Sequence, residues 1–158
     1  MTQKKKEEDK KLLLKDLSAR LPYGVICYWR IGSELTLNLT EYNGQLTCIN
    51  KVEVEDSSYY YYDCYFNVCN DSNGDSFQNE DVPIEIVKPY LRPMSSMTEE
   101  EKKELQDKNI LIAISTSGNV EITINGVDWL NAHYFDYRGL IEKGLAIEVT
   151  EENNPYKS

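Results

Sequence analysis

Apolar residues recur at helical spacing near the two ends of this chain and at strand spacing through its first half. Residues 4–20 begin charged and then place Leu14, Leu17 and Leu21 on one stripe, with Leu13 beside it. That is the period of a helix with one buried face. Pro22 ends it, because the residue before proline is pushed out of helical geometry. From residue 24 the period changes to two. Residues 24–30 read as a first strand, Gly32-Ser33 as a two-residue turn, and residues 34–40 as a second strand with Leu35, Leu37 and Leu39 alternating. Asn43-Gly44 is the strongest hairpin signal in the chain. The next strand, residues 45–55, puts Leu46, Cys48, Val52 and Val54 on one face. Residues 57–69 then alternate Tyr60, Tyr62, Cys64, Phe66 and Val68 with Tyr59, Tyr61, Asp63, Tyr65 and Asn67. A three-residue loop, Asp56-Ser57-Ser58, sets Val54 opposite Tyr60 and keeps the apolar faces together. A polar loop at 70–81 leads into a fifth strand at 82–88. Five short strands in a meander must curl or be covered. The pattern predicts a small, partly closed barrel or a strongly twisted sheet, with the first helix across one opening.

The second half is richer in helix signals. Residues 89–97 form an extended connector. Thr98 with Glu101 makes a capping box, opening a helix with almost no apolar face, which places it on the outside. Residues 110–116 and 119–124 flank Ser117-Gly118 as one more hairpin. Residues 124–147 carry the densest run of start and stop signals. Asn125 is placed to cap one helix, with Asp128 near its start and a staple between Ile124 and Trp129. Asp136 is placed to cap a second helix, with a staple between Phe135 and Leu140. Gly144 then provides a left-handed stop, and Leu145 reaches back to Leu140. Residues 145–149 read as a last strand and 151–158 as a loose tail. The architecture expected is α+β: an N-terminal basic helix (1–21), an antiparallel five-strand meander (22–88), a helix-rich C-terminal segment with an extra hairpin (89–150) and the tail (151–158), in one domain.

Charge and cysteine usage narrow the function classes. The formal net charge is −10 over 158 residues. Residues 1–20 hold seven Lys/Arg against four Asp/Glu, a net of +3, and residues 21–158 hold ten against 23, a net of −13. Nucleic-acid affinity comes from neutralising phosphates with Lys and Arg, so no nucleic-acid partner is expected. Acids interrupt the lysine run at the start, so it does not read as a signal peptide, and no stretch is long and apolar enough to span a bilayer. A cytoplasmic protein is expected, with Cys27, Cys48, Cys64 and Cys69 reduced and mostly buried.

No motif for catalysis, cofactor or metal stands out. Asp71, Asn73 and Asp75 occupy positions 1, 3 and 5 of an EF-hand-like loop, but Ser76 replaces the glycine of position 6 and Val82 the glutamate of position 12. A polar loop with an Asn-Gly turn is the simpler reading. The cysteines lack the paired short spacing of a zinc site. His133 is the only histidine, and no serine or cysteine elbow accompanies it. Twelve tyrosines suit sheet packing first and protein recognition second; base stacking on Tyr59, Tyr61 and Tyr65 ranks third, since no basic stripe flanks them. The candidate interaction residues are His133, Tyr134, Asp136 and Arg138. A cation at the second position of a helix opposes the helix dipole, so Arg138 is expected to face outward, toward a partner or another segment.

Three blocks, LKDLSARLPYGV at 14–25, VKPYLRPMSSMTEEEKKEL at 87–105 and DWLNAHYFDYRGLIEKGLA at 128–146, resemble a family of small uncharacterised proteins from phages, prophages and mobile elements of gut Bacteroidales. The family carries no assigned function, so the resemblance implies a genomic setting and no catalytic residues. The expectation is a non-enzymatic protein-interaction domain whose partner is a protein of the phage or of its host. The alternatives are an anti-defence inhibitor that mimics nucleic acid with acidic side chains, and a carboxylate-based hydrolase, which needs at least two carboxylates in one pocket.

Overall fold

A computed structural model describes residues 2–32, 35, 39–68, 77–108, 112–114, 120–122 and 124–157, with side chains described outside 77–80, 112–114, 120–122 and 124. The fold is α+β: an N-terminal helix, an open, mostly antiparallel sheet of six strands, and later helices. Helix α1 spans Gln3–Arg20, and the Thr2 hydroxyl caps it by accepting from the Lys5 N–H at 3.3 Å. Its buried face is Leu13, Asp16, Leu17 and Arg20, two of them charged. A single 3-10 turn at Leu21–Tyr23 follows, ended by Gly24 at φ 68°.

Strands β1 (Ile26–Ile31), β2 (Thr40–Glu53), β3 (Tyr60–Val68) and β4 (Phe77–Pro83) pair in sequence as an antiparallel meander. Asn43-Gly44 makes no hairpin; it lies inside β2, with Gly44 between Cys27 of β1 and Val68 of β3. A Cβ at Gly44 would stand 2.8 Å from the Asn67 carbonyl oxygen and 3.0 Å from the Trp29 ring. The glycine is there for close approach, not for a turn. Asn43 accepts from the Tyr90 hydroxyl at 2.6 Å. Of the strand expected at 34–40, Leu35 lies in a turn and is 96% exposed, Leu39 is also exposed, and Leu37 lies outside the described residues.

Two register details also differ from expectation. Glu53 pairs with Tyr60, one step from the expected partner Val54, and a bulge at Thr47 takes up the offset. The bulge turns Cys48 out to solvent and Ile49 inward. The row Tyr62, Cys64, Phe66 and Val68 still faces the core as its alternation requires. The stretch 82–88 is not one strand. β4 begins inside the expected polar loop, Pro83 ends it, and a 3-10 turn at Ile84–Ile86 buries Ile84. The chain then crosses to β1's other side, where β5 (Lys88–Leu91) pairs antiparallel with it. The sheet is therefore open and twisted rather than a closed barrel, with order β4-β3-β2-β1-β5 and, beyond β5, the two-residue strand β8 (Ile147–Glu148).

Helix α2 (Glu99–Asp107) opens on the expected capping box and is pinned by one buried residue, Leu105. β6 (Ile112–Ile114) and β7 (Val120–Ile122) form the separate hairpin expected there. Helix α3 spans Ile124–Ala132, so Asn125 sits within it and is not its cap. No second helix follows Asp136. Residues 137–144 are bends and turns, leading to β8 (Ile147–Glu148), parallel to β5. The last residues are docked rather than loose. The Tyr156 hydroxyl accepts from the Ile26 N–H at 3.1 Å and donates to the Tyr90 carbonyl at 2.9 Å. One core lies between α1 and the sheet; a smaller one joins Leu105, Trp129, Leu130 and Phe135.

Candidate functional site

Sequence reasoning singled out the corner at 133–138, and its four side chains turn to four different partners. Each is occupied by the protein itself. Asp136 caps a single turn, its carboxylate accepting from the Leu140 and Ile141 N–H groups, both at 2.9 Å. That turn closes with Leu145 N–H to Leu140 O at 2.9 Å and Gly144 N–H to Ile141 O at 3.0 Å, with Gly144 at φ 72°. This is a Schellman ending on one turn, so the stop signals were legible although the helix they were assigned to is absent. His133 stacks on Trp129, ring centroids 3.9 Å apart, with Nδ1 2.8 Å from the Trp129 carbonyl. A carbonyl can only accept, so Nδ1 is the protonated nitrogen. The Tyr134 hydroxyl donates to Tyr23 O at 2.6 Å, and its ring stacks on Tyr156. Its φ of 63° is unusual for a bulky residue.

Arg138 does contact another segment, α1, but it does not face outward. Its side chain is only 15% exposed, and Nη1 donates to Asp16 at 2.9 Å. The fully buried Arg20 reaches the same carboxylate with Nε at 2.9 Å and Nη2 at 3.1 Å, and donates to the Phe135 carbonyl at 2.6 Å. Tyr137 lies against both guanidinium groups. With no helix after Asp136 there is no dipole to oppose Arg138, and Asp16 gains a second cation. The open cleft beside the corner, ≈ 650 Å³, meets Asp136, Tyr137 and Arg138 along its wall. The polar contacts of Asp136 and Arg138 given above are all made within the chain.

A different surface has the character of a site. β2 and β3 run on past the last β1 partner, Gln45, and past Pro83 of β4, which stands opposite Asp63. Their far ends form a two-stranded ribbon whose inner face meets α1 along Glu7, Lys10, Lys11 and Leu14. The result is a groove of ≈ 280 Å³ lined by Glu7, Lys10, Lys11, Leu14, Ser58, Tyr59, Tyr60 and Tyr62. Tyr59 is 61% and Tyr60 44% exposed. Tyr60 and Tyr62 meet edge to face at 5.8 Å, and Lys51 Nζ sits 4.3 Å from the Tyr60 ring centroid. Lys10 is held against Glu85 at 3.3 Å. Of the tyrosines considered for stacking, Tyr59 stands at the groove, while Tyr61 and Tyr65 are half-buried elsewhere on β3. As site residues, Tyr60, Tyr62, Lys10, Lys11 and Lys51 were missed. The signal for them was present: the helix has no apolar residue before Leu12 to cover an aromatic strand face.

The carboxylates were also tested by their positions. Burial, and then the charges of Asp81 and Glu85, hold Asp63 above the usual carboxylate range. Asp63 lines neither the groove nor the corner cleft. Among the described residues, no group of three His, Cys, Asp or Glu side chains is placed to hold a metal ion. Residues 71–76 of the EF-hand-like stretch lie outside the described residues. Its second half is strand β4, with Val82 buried against Cys64. Among the described residues no helix is long and apolar enough to cross a membrane. The fold and groove define an α+β domain with an exposed aromatic cleft. No known family, curated protein or solved structure matches the chain.

Proposed function

We propose that this chain is a non-enzymatic protein-interaction domain of a phage or mobile element, acting on a phage or host protein in the host cytosol. The surface it uses is the groove between α1 and the β2–β3 ribbon. The observation that carries this reading is the exposure of Tyr59 and Tyr60, beside exposed Val54, on a ribbon that has no core of its own to build. Tyrosine brings a large rigid ring and a polar tip to a contact, and it is enriched at interface centres. Lys11 and Lys51 at the same place add donors for a partner's carboxylates or carbonyls. Truncating an aromatic anchor of this kind typically costs about 2 kcal/mol or more of binding.

The test compares proteins captured from host lysate by the immobilised chain and by its Tyr59→Ala/Tyr60→Ala variant. A partner held by wild type, lost by the variant at an unchanged melting temperature, supports the reading. Identical capture by both would overturn it. One observation favours the nucleic-acid mimic as a second reading, namely that Asp81 and Glu85 face Asp63 closely enough to raise its pKa. Lys10 neutralises Glu85, however, and breaks any acidic ridge there.

A further inference from the structure

The ribbon has a free edge as well as an aromatic face. β2 pairs with β1 through residues 40–45, and the last link is Leu46 N–H to Val25 O at 2.9 Å. From 47 to 53, β3 is the one strand paired with it among the described residues. The direction of the backbone groups follows from a single bond. Val54 N–H donates to Tyr59 O at 3.0 Å, toward β3. Antiparallel ladders alternate, so Val52 and Asn50 also point to β3. Ile49, Lys51 and Glu53 therefore turn their N–H and C=O groups outward. The Lys51 and Glu53 side chains on this edge are 48% and 78% exposed.

Unpaired edges recruit other strands, and a lysine on the edge is a common guard against it. Here the guard has a counterpart two residues away. Read antiparallel against itself about Val52, the run Lys51-Val52-Glu53 sets each Lys51 opposite a Glu53. It also sets both in the hydrogen-bonded positions, where each pair exchanges two backbone bonds. Val52 meets Val52 on the other face. Within one chain the same two side chains make only a long contact, 3.8 Å. Opposite charges directly across a ladder stabilise it and like charges destabilise it. The edge thus repels most strands and accepts its own sequence in one register. We infer that it joins a second copy of this chain, β2 to β2 across a two-fold axis at Val52, making one sheet of two. This inference rests on the strand's free backbone edge rather than on the groove's proposed use, although Lys51 belongs to both.

The experiment is sedimentation of the full chain from micromolar to millimolar concentration. Wild type passes from 18.3 kDa toward twice that mass. Lys51→Pro deletes an outward N–H and none of the β3 ladder, so it stays monomeric with its melting temperature nearly kept. Lys51→Glu and Glu53→Lys each weaken self-association about tenfold or more, because both cross-strand pairs become repulsive. Mixed in equal amounts, these two variants pair with each other, and Lys51→Glu/Glu53→Lys in one chain restores the wild-type dimer. A wild type that stays monomeric at millimolar concentration overturns the inference. So does a Lys51→Pro dimer as tight as wild type, or a mixture of the two charge variants that fails to associate.

Discussion

Single residues in this protein often do a job other than the one their type suggests. Asn-Gly is the best hairpin dipeptide, yet Gly44 is chosen because two strands and the Trp29 ring close on it. Gly44→Ala should destabilise the fold by about 1–3 kcal/mol, the range for overpacking; urea denaturation measures it. Turn and close-approach glycines look alike in a sequence, so the distinction was not legible there. Arg138 misled in the opposite direction, since its partner Asp16 is 122 residues away. Arg138→Glu should lower the melting temperature sharply, because it sets a second carboxylate against buried Asp16; an unchanged melt would return Arg138 to the surface. Removing one member of a buried charge pair typically costs about 3–5 kcal/mol, which is the loss expected for Arg20→Ala. The cysteines divide by the same bulge that turns Cys48 outward. Burial raises the Cys64 thiol to about 12 and the Cys27 thiol well above its ordinary value. Cys48→Ser should therefore remove one fast-reacting thiol from a disulfide-reagent titration, whereas Cys64→Ser removes none.

At the scale of elements, several local signals were legible and what depends on neighbours was not. The α1 stop before Pro22, the α2 capping box and the Schellman turn at Gly144 formed where their signals stood, whereas the equally local Asn125 cap and the helix after Asp136 did not. Strand limits failed at Leu35 and Leu39 and across 82–88, because which run pairs with which is settled across the sheet. Helix α2 supplies a pH prediction. Glu101 receives two bonds from Arg92, at 2.7 and 2.8 Å, and accepts from Thr98 N–H, which together hold it near 2 against an ordinary 4.5. A lowered carboxylate pKa stabilises the fold above the unfolded value and loses that contribution as pH falls through the folded one. The melting temperature should thus fall between pH 4.5 and about 2, and Arg92→Gln should flatten that part of the curve. An Arg92→Gln profile parallel to wild type would show that other carboxylates control acid unfolding.

Over the whole molecule, the α+β class and the order helix, meander, helices were readable from periodicity, and the open sheet was one of two shapes allowed. The crossing from β4 to β5 was not readable, nor the docking of Tyr156. Both depend on partners far along the chain, and polar spacing carries no trace of them. The aromatic groove lay between: its tyrosines were conspicuous, but the helix that leaves them uncovered had to be placed first. The bond from Arg20 to the Phe135 carbonyl spans 115 residues, and this has a consequence for biosynthesis. A ribosome delivers Arg20 a full 115 residues before the carbonyl that receives it. At ordinary elongation speeds its guanidinium, held meanwhile by Asp16 alone, waits on the order of ten seconds for that carbonyl. The β2–β3 hairpin, whose pairs are near in sequence, is complete on the ribosome well before that bond closes, so the seal between α1 and the corner belongs to the late part of synthesis.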